Sequence, residues 1–82
     1  MFLGDIMKLR IKDLRIDNDY TQKFIAEYLH CDQSMYSKYE REIRSVPLWV
    51  LHKLADLYDT SIDYLTCRTD EIKPYPKSKI KY

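Results

Sequence analysis

The chain has 82 residues, a single glycine and a formal net charge of +1. So short a chain makes one small domain and lacks the material to wall off a substantial catalytic pocket. Bulk charge gives no sign of a nucleic-acid partner, and no apolar run approaches the roughly 20 residues that cross a bilayer.

Near-absence of glycine favours helices joined by tight turns over a sheet. A first helix is expected over about residues 6–17, with Ile11 and Leu14 inward and Leu9 and Ile16 flanking them. Asp17, Asn18 and Asp19 form the turn that ends it. Thr21 is an N-cap for a second helix whose Ile25, Ala26 and Leu29 share a face. After His30 and Cys31, Asp32 caps a third helix of about residues 33–41. Tyr36 and either Tyr39 or Glu40 point inward there, and Gln33, Ser34, Ser37 and Lys38 outward. A fourth helix begins near Pro47, with Leu51, Leu54, Ala55 and Tyr58 at i, i+3, i+4, i+7. Ser61 caps a short fifth helix ending at Leu65. Residues 70–82 differ: Pro74 and Pro76 forbid helix, and Lys77, Lys79 and Lys81 alternate with Ser78, Ile80 and Tyr82. That tail is either disordered or an arm along DNA or a partner.

The first residues lack the apolar core and cleavage site of a signal peptide, so a cytoplasmic location is expected. Cys31 and Cys67 are then reduced thiols. A zinc site would recruit His30 and His52, but the adjacent His30 and Cys31 make poor ligands for one ion. Neither metal, cofactor nor small-molecule ligand is indicated. The chain has no Cys/His nucleophile pairing and no glycine-rich phosphate loop, so it does not read as an enzyme.

Helices this short gain stability mainly from packing on one another. A three-residue turn between the second and third sets the corner of a helix-turn-helix, and the third can enter a major groove about 12 Å wide. Gln pairs with adenine, Lys reaches guanine acceptors, and Ser serves either. A plain helical hairpin with a solvated face has the same polar pattern.

The stretch TQKFIAEYL-HCD-QSMYSKYE resembles the Cro and phage-repressor type of helix-turn-helix regulators, the xenobiotic-response-element family. Thr21, Gln22, Ile25, Ala26, Leu29, Ser37, Tyr39 and Glu40 fit its pattern, with Tyr36 where an aliphatic residue is usual. The likeness continues through VPLWVLHKLADLYDTSIDYL and CRTD, covering about residues 9 to 70. His30, Glu42 and Cys67 stand where the family often has glycine. The resemblance implies an all-α, lambda-repressor-like bundle of five short helices over residues 1–69, followed by the tail at 70–82. It implies base contacts from Gln33, Ser34 and Lys38, phosphate contacts from Gln22, Ser37, Arg41 and Arg44, and a structural ion pair between Arg15 and Glu40.

The expected function is sequence-specific binding of double-stranded DNA by a transcriptional regulator, as a repressor, on a near-palindromic operator. The alternative is a protein-interaction module of the same fold, antitoxin-like or a regulator's partner, with weakened DNA binding; Asp32 beside the phosphates and the low net charge favour it. One recognition helix reads too few base pairs to choose a genomic site, so a homodimer is expected. Its candidate surface is Trp49, Val50, Leu57 and Ile62, strengthened by the arm at Ile80 and Tyr82. Trp49 and Leu57 serve equally well to close a small core.

Overall fold

Five short helices, none able to persist alone, share one core in the computed structural model, which describes residues 8–76 and Ser78. They are α1 (Ile11–Asp17), α2 (Gln22–Leu29), α3 (Gln33–Glu40), α4 (Leu48–Leu57) and α5 (Ile62–Leu65), with no strand among the described residues.

Three starts are local chemistry. Thr21 accepts from the Phe24 N–H, Asp32 from the Met35 N–H at 2.7 Å, and Ser61 from the Tyr64 N–H. Each short side chain thereby satisfies one of the open donors of a first turn. Pro47, the fourth cap, contributes only its carbonyl, which takes the Val50 and Leu51 N–H groups. It is the N-cap, so the helix begins one residue beyond it.

All five helices stop in the same way. A non-glycine residue in the left-handed region follows each one: Asp19, His30, Glu42, Asp59 and Cys67, with φ between 52° and 65°. Paired hydrogen bonds accompany each, as where the Cys31 N–H reaches the Ala26 carbonyl and the His30 N–H reaches Glu27. This is the Schellman arrangement, which closes a helix by reversing the chain. His, Asp and Asn tolerate the left-handed region better than most side chains; Glu42 and Cys67 have no such advantage.

The core is Ile11 and Leu14 of α1, Ile25, Ala26 and Leu29 of α2, Tyr36 and Tyr39 of α3, Val50, Leu51, Leu54 and Ala55 of α4, and Leu65 of α5. Helix α1 is shorter than expected. Lys8, Leu9 and Arg10 are not helical, and residues 6 and 7 lie outside the described residues. The Arg10 N–H is drawn instead to the Leu65 carbonyl, and its guanidinium to the carbonyls of Tyr64 and Thr69 and to Asp70. Ile16, expected to flank the inward stripe, is 52% exposed because the core reaches only one side of α1.

Past α5 the chain turns back over the α4–α5 corner. The buried Thr60 hydroxyl donates to the Ile72 carbonyl, and the Tyr75 hydroxyl donates to Asp63 at 2.8 Å. Pro74, Tyr75 and Pro76 border a groove shared with His52, Ala55 and Ile62. Of the expected arm, Lys77, Lys79, Ile80, Lys81 and Tyr82 lie outside the described residues. No helix among the described residues is long and apolar enough to cross a membrane.

Candidate nucleic-acid interface

Helix α3 is amphipathic by residue size as much as polarity. Tyr36 and Tyr39 sink their rings into the core, which leaves Gln33 and Ser34 on the exposed side of the first turn. Ser37 and Lys38, expected to face outward as well, are half-buried. The helix sits deeper than a solvated hairpin would, so its fully open surface narrows to Gln33 and Ser34. Arg41, expected inside the helix, is its C-cap; it is exposed and donates through Nε to the Ser37 hydroxyl at 3.3 Å. Arg44 is exposed on the loop beyond.

Behind this surface lies a charged cluster. Arg15 of α1 donates from Nε to Glu40 Oε2 at 2.6 Å and from Nη2 to Oε1 at 3.1 Å, and Nη1 reaches the Tyr20 carbonyl. The side chains of Arg15 and Glu40 are 14% and 2% exposed. Gln22, the first residue of α2, donates its amide to Glu40 Oε1 at 3.0 Å. Burial by itself would raise the Glu40 carboxyl, but the Arg15 hydrogen bond, the facing Tyr36 hydroxyl and the Gln22 amide outweigh it and hold the group below the usual range. One carboxylate therefore ties α1, α2 and α3 together and sets how α3 is presented.

Two phenols border the cluster. The Tyr36 and Tyr58 hydroxyls are buried with no partner at hydrogen-bond geometry among the described residues. Burial first, then the neighbouring Glu40 charge, push both phenols well above their ordinary value. Tyr20 stacks against Phe24 with ring centroids 4.7 Å apart and lies 6.1 Å from Tyr58.

Among the residues expected to pair two copies, Val50 is a correction. It is 0% exposed, enclosed by the core, and presents nothing to a partner. Leu57 and Ile62 are half-buried against the core, whereas Trp49 is 52% exposed. Ile43 on the loop before α4 and Leu48, the first residue of α4, are also exposed, and no sequence pattern marks either. Arg10 likewise has no sequence signal; its guanidinium stands 4.1 Å from the centre of the Tyr64 ring. Only long-range contacts give that arginine a role, so no local spacing reveals it.

Burial, then the adjacent Asp32, raise the Cys31 thiol, which disfavours a reactive thiolate in the turn between α2 and α3. No cluster of three or more His, Cys, Asp or Glu residues among the described residues could hold a metal ion.

Residues 11–65 match the family described as helix-turn-helix, a span from the start of α1 to the end of α5. The chain is 39% identical over 72 residues to "Uncharacterized HTH-type transcriptional regulator YobD" of Bacillus subtilis (strain 168), an alignment covering 88% of this chain and 62% of that protein. It is 43% identical over 56 residues to "HTH-type transcriptional regulator ImmR" of the same organism, covering 68% and 44%. For "HTH-type transcriptional regulator AnsR", also from that strain, the identity is 32% over 69 residues, covering 84% and 60%. The chain thus spans less than two thirds of the length of these curated relatives. No solved structure matches it significantly. With the matched span enclosing every helix described above, the chain belongs to the helix-turn-helix family, in its xenobiotic-response-element type.

Proposed function

We propose that the chain is a sequence-specific, double-stranded DNA-binding transcriptional regulator, acting as a repressor, with α3 in the major groove. The observation that carries this reading is the mounting of α3. Tyr36, Tyr39 and Glu40 anchor its inner side, while Gln33 and Ser34 stand open at its N-terminal turn. A recognition helix reads base edges from its N-terminal residues, and such reading needs a helix that does not rock. The names of the relatives, all transcriptional regulators, support the same function.

In this reading Gln33, Ser34 and Lys38 contact bases. Lys38 is half-buried, and its ammonium can extend outward, as long cationic side chains do. Gln22, Ser37, Arg41 and Arg44 contact phosphates, which position the protein without specifying sequence. Two copies pair through Trp49, Leu57 and Ile62, with Ile43 and Leu48 adding apolar surface, and place two α3 helices about 34–36 Å apart on a near-palindromic site.

Selection of bound duplexes from a random library tests the proposal, with affinity then measured against salt. A selected consensus and a linear fall of log affinity with log salt are expected. Equal affinity for selected and random duplexes would leave no sequence-specific regulator.

A further inference from the structure

The Arg15–Glu40 pair is complete without Gln22, yet Gln22 donates to the same carboxylate. An ionised carboxylate only accepts hydrogen bonds. Gln22 can therefore face Glu40 only through its NH2 group, because its carbonyl oxygen would be repelled. That chemistry fixes an amide orientation which is otherwise interchangeable. One N–H is committed inward, and the second has no partner among the described residues.

The position of Gln22 gives the second N–H a use. It opens α2, where Thr21 satisfies the Phe24 N–H and leaves the first-turn donors of Gln22 and Lys23 open to an anion. A free glutamine would lose much rotamer freedom on binding there. One already held by Glu40 has lost it beforehand. Glu40 is also the last residue of α3, so the same carboxylate sets the attitude of the recognition helix.

We propose that Glu40 is a positioning residue for DNA binding: by holding one Gln22 amide proton it aims the other at a backbone phosphate, in fixed register with α3. This rests on the reading of α2 and α3 as a DNA-binding unit. Glu40 itself touches no DNA.

The test titrates the full chain with a duplex selected from a random library, for wild type, Gln22→Ala, Gln22→Asn, Glu40→Gln and the Gln22→Ala/Glu40→Gln double variant. Gln22→Ala is expected to weaken binding roughly tenfold, the worth of one charge-assisted hydrogen bond. Gln22→Asn should lose as much, being too short to reach Glu40 and a phosphate together. Glu40→Gln leaves one acceptor oxygen for three N–H donors, so it should weaken binding similarly, and the double variant should lose no more than either single change. Additive losses, or a folded Glu40→Gln variant binding like wild type, overturn the proposal. The Gln22 side-chain amide NMR signals of the wild type decide the matter even where Glu40→Gln does not fold. One proton should be shifted and slow to exchange in the free protein, and the other should move when the duplex is added. Two protons with the shifts and fast exchange of a free glutamine side chain, unmoved by the duplex, overturn the proposal. Wild type binding no duplex overturns the DNA reading along with it, whereas tight wild-type binding with unaffected Gln22 variants overturns the positioning role alone.

Discussion

Arg15 and Glu40 lie far apart in sequence and meet through two hydrogen bonds, at 2.6 and 3.1 Å, on the inner side of α3. Removing one partner from so buried a pair strands the other charge. Arg15→Met is therefore expected to cost about 3–5 kcal/mol of stability, measured by urea unfolding. An unchanged unfolding midpoint would show that the pair contributes nothing. The same pair sets acid sensitivity. Glu40 is held below its ordinary value in the folded state, so its contribution is present above the unfolded value of about 4.3 and is lost as pH falls through the lowered folded value. Glu40→Gln should flatten the acid limb of the stability profile as well as lowering its plateau.

The orphan hydroxyl of Tyr58 gives an opposite expectation. Tyr58→Phe removes a buried polar atom that has no partner among the described residues, so stability should stay level or rise by about 1 kcal/mol. The folded phenol is raised, so its contribution is present below the unfolded value of about 10 and is lost as pH climbs above it. Alkaline unfolding of the Phe variant should accordingly begin at higher pH. Loss of more than 1 kcal/mol on removing this oxygen would mean that it has a partner after all.

Left-handed caps without glycine are a second reserve of stability. Glu42→Gly and Cys67→Gly relieve the clash of a Cβ in that region, worth about 1–2 kcal/mol each. In a domain this size each kcal/mol raises the melting temperature by about 4–8 °C. Glycine also loosens the unfolded chain, which offsets part of the gain. His30→Gly should gain least, since histidine tolerates that region better.

Base reading and phosphate contact separate by their response to sequence. Gln33→Ala is expected to cost about 1–3 kcal/mol on the selected site and to relax preference at one base position. Arg44→Ala should weaken all duplexes alike and flatten the salt dependence. Equal losses for Gln33→Ala on selected and random DNA would remove it from the base-reading set.

The proposed pairing of two copies rests most on Trp49, the most exposed of the four residues considered for it. A Trp49→Glu change should shift sedimentation on operator DNA from two copies to one, with the fold intact by circular dichroism. Two copies of the variant bound with wild-type affinity would move the interface elsewhere on the surface.

Local chemistry made the helix-turn-helix legible in the sequence. Thr21, Asp32 and Ser61 reach N–H groups three residues ahead, and Leu51, Leu54 and Ala55 share a stripe by spacing alone. The left-handed turns at His30, Glu42 and Cys67 were visible only by resemblance, because none of those residues advertises a positive φ. Tertiary structure decided what depends on distant neighbours. Arg10 ends the approach to α1 because its partners are Tyr64, Leu65, Thr69 and Asp70. Val50 and Trp49 are adjacent and both apolar, yet one is enclosed and the other open, since only the packed bundle determines how far round α4 the core reaches. Gln22 reads alone as a polar helix start. Its hold on Glu40 exists because folding brings the first residue of α2 against the last of α3, and no periodicity encodes that meeting.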